Sequence, residues 1–178
     1  MDAQLPKHII PPNVSLRSAF YKMAYDYRED GDRRYYKNVV AAGFDFEEYV
    51  TKLHRNSLGI DLEKGLVPFT TYWLVDERKD TIYAVSRLRH TLSAVSKKEG
   101  GHIGYDVPPS LRGFGYATEA LRQTLAKARA KGIVRALLTC DADNYASARV
   151  IEKNGGVLDD QIVSEYTKKV VSRYWIYC

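Results

Sequence analysis

One stretch constrains this chain more than any other: GGHIGYDVPPSLRGFGYATEALRQTLAKARAKGIVRALLTCD, residues 100–141. GGHIGYDVPP reads as a strand that stops at two prolines, because proline cannot donate to a ladder. Ala117, Ala120, Leu121, Thr124, Leu125 and Ala128 then recur on one helical stripe, and Gly132 closes the helix. IVRALLTCD, residues 133–141, is nearly continuous in apolar residues, as a strand covered on both faces requires. A strand, a crossover helix and another strand imply a parallel pair and an α/β domain.

The flanks add elements of other kinds. Residues 14–29 place Leu16, Phe20, Met23, Ala24 and Tyr27 at helical spacing, and residues 44–57 do the same with Phe46, Tyr49, Val50 and Leu53 behind a capping Asp45. GDRRYYKNVVAAG between them reads as loop or irregular helix. TTYWLVDERKDTIYAVSRLRH reads as an antiparallel hairpin, DNYASARVIEKNGG as a helix ending at paired glycines, and VLDDQIVSEY with KKVVSRYWIYC as a final hairpin.

At 178 residues the chain has the size of one domain, spanning 1–178, able to bury roughly 70% of its unfolded surface without disulfides or metal. Cys140 and Cys178 form no spaced pair, and His8, His54, His90 and His102 are far apart, so the reading is no metal site and a reducing compartment. MDAQLPKHIIPP lacks the apolar core of a secretory signal, and no stretch reaches the length of a membrane span, so the expected location is cytoplasmic. The net charge of +5 favours an anionic partner, either nucleic acid or a phosphorylated cofactor. Arginines and tyrosines interleave in YKMAYDYREDGDRRYY, a pattern that can stack on single strands, but the spacing of Phe20, Met23 and Tyr27 favours a core role. No nucleic acid and no membrane are therefore expected as partners.

Gly113 and Gly115 stand at the strand-to-helix joint. They either satisfy turn geometry alone or bare the first helical amides for an anion, with Arg112 adding a mobile charge. RGFGYA, residues 112–117, resembles the arginine-x-x-glycine-x-glycine/alanine signature of the GNAT acetyltransferases, and LLTCDADNYASARVIEKNGG resembles their second motif. The resemblance implies a mixed, mostly antiparallel sheet of about six to seven strands flanked by helices, with a parallel pair splayed for acetyl-CoA. It also implies the cofactor contacts: diphosphate on the amides of Arg112, Gly113, Phe114, Gly115, Tyr116, Ala117 and Thr118, and the pantetheine arm along Tyr105, Asp106 and Val107. Asn144 and Ser147 follow as further contacts, although Asn144 also suits a helix cap and Ser147 a packing position.

The implied reaction is direct acetyl transfer to a primary amine on a small molecule or a peptide. An amine with a pKa near 10 must lose a proton first, and Glu99, His102 and Asp106 are the nearby candidates for base, with His102 equally suited to a structural bond. Many family members carry a tyrosine acid seven residues after the motif asparagine, where this chain has Ile151. That departure leaves a catalytically inactive CoA-binding module as the alternative. The acceptor pocket is expected from the first two helices, their following loops near 28–44 and 55–70, and the last hairpin. The apolar strand SRYWIYC, taken as an exposed edge, would allow a homodimer.

Overall fold

The computed structural model describes residues 6–41 and 43–178. The chain runs β1 (His8–Ile10), α1 (Arg17–Glu29), α2 (Tyr36–Val39), α3 (Phe46–Leu58), β2 (Phe69–Val75), β3 (Ala84–Arg89), α4 (Ala94–Lys98) and β4 (Ile103–Asp106). It continues through α5 (Tyr116–Ala130), β5 (Arg135–Asp141), α6 (Tyr145–Lys153), β6 (Val157–Val163) and β7 (Val170–Tyr177). The helices and hairpins expected from periodicity are present. The signal reading of MDAQLPKHIIPP rests partly on residues 1–5, which lie outside the described residues, as does Ala42 of the loop before α3.

Seven strands form two sheets, ordered β1-β2-β3-β4 and β5-β7-β6, and every ladder is antiparallel. β4 and β5, the expected splayed pair, fall in separate sheets and share no ladder. They meet at one end, where His102 N–H donates to Leu137 O at 2.6 Å, Leu137 N–H donates to His102 Nδ1 at 2.9 Å and Gly100 N–H donates to Thr139 Oγ1 at 2.9 Å. Gly101 permits this contact, since a β-carbon there would sit 2.2 Å from the Leu137 carbonyl oxygen. The strands therefore touch at one end and part beyond it.

Each face of the first sheet packs a different helix layer. Phe20, Met23 and Tyr27 of α1 and Phe46 and Val50 of α3 cover Trp73, Val75 and Val85. On the other face Ala120, Leu121 and Leu125 of α5 cover Leu74, Leu88 and Ile103 and continue onto Leu138, Tyr174 and Ile176, so one core joins both sheets. Full burial of each such Leu, Ile or Phe contributes about 1.5–3 kcal/mol. Phe20 and Tyr27 are fully buried, in line with a core role for the aromatic run.

One expectation is corrected here. SRYWIYC is no edge, because β7 lies between β5 and β6 with both sides hydrogen-bonded, and dimerisation through that strand has no free ladder to use. β5 and β6 are the edge strands of that sheet instead.

Candidate active site

A cavity of about 410 Å³ opens between the end of β4, the turn before α5, and α6. Its size suits a small-molecule ligand. β4 and its extension supply Tyr105, Asp106 and Val107; the turn supplies Leu111, Arg112, Gly113 and Gly115; α5 supplies Tyr116, Ala117 and Thr118. The far wall is Asn144, Ala146, Ser147, Arg149, Val150 and Lys153. Phe114 is the one expected cofactor contact that does not line it, and its ring points to solvent at 67% exposure. Arg149 and Lys153 escaped the sequence reading; their four-residue spacing on a helix that starts at Asn144 was the available signal.

The turn has the geometry an anion needs. Gly113 has φ +86° and Gly115 φ +83°, both left-handed, and a β-carbon at either would meet nothing within 4 Å, so open space faces the backbone. The first backbone bond of α5 runs from Glu119 N–H to Gly115 O at 3.1 Å, so the amides of Ala117 and Thr118 precede the helical ladder and sit at its positive end. Arg112 is turned aside, with Nη1 on Asp30 at 3.0 Å and Nε on the Val107 carbonyl at 3.4 Å. The Arg112–Asp30 pair is half-exposed, and such pairs contribute about 0–1 kcal/mol, so a phosphate can recruit the guanidinium at little cost.

Deeper in the cleft, the Tyr105 hydroxyl lies 2.8 Å from Ser147 Oγ and donates to Ser147 O at 3.0 Å. Burial pushes the Tyr105 phenol up to about 12, against a lowering by Ser147, so it stays protonated. Asn144 Oδ1 accepts the Ser147 N–H at 3.0 Å: Asn144 caps α6 and lines the cleft at once. Ile151 is fully buried in the core, away from the cleft lining.

The expected bases have other work. His102 Nδ1 accepts from Leu137 N–H, which spends the lone pair and leaves the proton of the neutral ring on Nε2; burial, then the charge of Arg89, holds its pKa below the usual value. Glu99 accepts from Ser164 Oγ at 2.7 Å and Glu165 N–H at 3.1 Å, pinning the loop between β6 and β7. Neither residue lines the cleft. The Asp106 carboxylate accepts from Tyr27 and Tyr35 hydroxyls at 2.7 and 2.8 Å and from Arg87 at 3.0 Å. His90 Nε2 lies 2.8 Å from Thr70 Oγ1.

A turn that bares helical amides beside the open end of a splayed strand can hold the phosphate of a ligand. The profile of the acetyltransferase (GNAT) domain matches residues 20–157, more than half of the chain, so the protein belongs to the GNAT acetyltransferase family. No curated protein sequence matches it.

Solved structures share the fold at low identity. The Salmonella typhimurium acetyl transferase that modifies the N-terminal serine of 50S ribosomal subunit protein L7/L12 is 15% identical, with TM-score 0.67 over 99% of this chain and 96% of its own. The microcin self-immunity acetyltransferase MccE, in complex with acetyl-CoA and AMP, is 13% identical, with TM-score 0.64 over 97% and 92%. A chimera of the Vibrio cholerae spermidine N-acetyltransferase SpeG with hSSAT is 13% identical, with TM-score 0.62 over 96% and 94%. Among the described residues no helix is long and apolar enough to cross a membrane, and no cluster of potential metal ligands occurs.

Proposed function

We propose that the protein transfers acetyl from acetyl-CoA directly to a primary amine. The observation that carries this reading is the left-handed Gly113–Gly115 turn with open space over its backbone, because it fits a diphosphate that any side chain would obstruct. The Arg112 N–H is spent on the Pro109 carbonyl at 3.2 Å, so amides from Gly113 to Thr118 hold the diphosphate, and the side chains of Arg112, Arg149 and Lys153 balance phosphate charge. The cosubstrate supplies an activated thioester; the chain supplies orientation and electrostatics.

The side of β4 away from β3 has no ladder partner among the described residues, so backbone N–H groups from Tyr105 to Val107 are placed to polarise an acyl carbonyl. As the amine nitrogen forms its bond to the acyl carbon and the carbon–sulfur bond breaks, the Tyr105 hydroxyl turns its one proton from the Ser147 carbonyl to the sulfur while Ser147 Oγ–H donates to the phenol oxygen. A thiolate with a pKa near 8.5 leaves without full protonation. With His102, Glu99 and Asp106 already bonded, the acceptor arrives as free amine and its proton goes to solvent, so kcat/KM climbs with pH toward the amine pKa.

Calorimetric titration with coenzyme A tests the site, and thiol release in the presence of primary amines tests the reaction. Saturable binding with amine-dependent release supports the reading; absence of binding at millimolar coenzyme A ends it.

A further inference from the structure

The cofactor cleft leaves a second polar constellation unused, on the α1–α3 face of the first sheet. Arg87 pairs opposite Gly104 and Val85 opposite Asp106, so these residues share one face, and Arg89 follows Arg87 on the same side. Arg89 Nη1 donates to the carbonyls of Gly100 and Gly101, both at 3.1 Å, while its backbone N–H donates to His102 O at 2.7 Å. That places Arg89 at the closed end of the splay, where β4 meets β5.

The two arginines differ in one respect. Arg87 has its counter-ion, Asp106 at 3.0 Å, and also donates to the Tyr35 hydroxyl at 2.6 Å. Asp106 is the acid of this cluster, and Tyr27, Tyr35 and Arg87 occupy it. Arg89 has no carboxylate within ion-pair distance among the described residues, and burial together with the charge of Arg87 pushes its guanidinium below the ordinary value. A partly buried cation without a counter-ion is costly, and an anion brought to it recovers that cost. Room for such a ligand exists two residues along the same face, where Gly104, the cross-strand partner of Arg87, is half-buried, yet a β-carbon there would meet nothing within 4 Å.

We propose that the acceptor amine also bears an anionic group, a carboxylate or a phosphate, which docks on Arg89 while the molecule lies over Gly104. The proposal rests on the acetyl-transfer reading and narrows it to a substrate class. A wholly cationic polyamine would meet two guanidinium groups here and be repelled.

The test uses matched amines: ornithine against putrescine, tyrosine against tyramine, and O-phosphoethanolamine against ethanolamine. Which pairs respond separates carboxylate from phosphate. The anionic member of at least one pair is expected to show kcat/KM higher by about tenfold or more, and to bind the coenzyme A complex with measurable heat. Arg89→Gln should raise KM for that member about tenfold, leave kcat and the uncharged partner within about twofold, and keep coenzyme A affinity. Because Arg89 also braces two carbonyls, Arg89→Lys is measured beside it; it retains charge without the planar fork and should fall between the two. Equal use of both members of every pair, use of none, or an Arg89→Gln loss that falls equally on both members overturns the proposal. Coenzyme A binding tells the two failures apart: retained binding with no anion preference sinks this inference alone, and lost binding sinks the acetyl-transfer reading with it.

Discussion

The two faces of the first sheet recognise in opposite ways. Toward α5 the cleft works with backbone and with missing side chains: Gly113 and Gly115 expose amides, and the arginine nearest them is parked on a surface partner. Toward α1 and α2 the sheet buries charge: Asp106 and Arg87 sit among Tyr27 and Tyr35, the carboxylate side chain only 11% exposed. Backbone recognition of a cosubstrate depends little on which side chains surround it. A buried charge cluster, by contrast, depends on every member and so can be specific for one acceptor class.

The largest effect expected from breaking that contrast is on the charged face. Asp106→Ala leaves two buried tyrosine hydroxyls and Arg87 without their acceptor, and should lower the unfolding free energy by about 3 kcal/mol in urea titration. A loss near zero would mean that the network is solvated and carries no specificity. On the cleft face, Gly115→Val forces a β-branched residue to φ +83° and fills the space over the amides, so coenzyme A affinity should drop about a hundredfold by calorimetry, while backbone strain of about 1–3 kcal/mol lowers the urea midpoint. Unchanged affinity would show that the diphosphate lies elsewhere. Smallest is Tyr105→Phe, which keeps the ring and removes the hydroxyl bonded to Ser147: kcat should fall about tenfold with coenzyme A affinity intact. An equal fall in binding would make Tyr105 a wall of the cleft and nothing more.

Legibility in the sequence followed the range of the interactions. The turn, α5 and the cap at Asn144 were readable because each depends on residues within a few positions. β1 was missed, a three-residue strand bounded by prolines and too short to show a period. α4 was missed for a similar reason, its five residues held by the reciprocal capping of Ser93 and Ser96. His102 stood out as a base because it sits beside the glycine strand, and only the position of Leu137, far along the chain, shows that its lone pair is taken.

Short-range chemistry decided in advance that this chain bends a strand into a helix through Gly113 and Gly115, a turn that serves geometry alone or bares amides for an anion. Periodicity likewise committed Phe20, Met23, Tyr27 and Leu121 to the interior. Tertiary structure alone decided that β7 is an inner strand, that β4 and β5 touch at one end, and that Arg87 has a counter-ion while Arg89 has none among the described residues. Those outcomes depend on which distant segments become neighbours, and neighbours across a sheet leave no mark in the local order of residues.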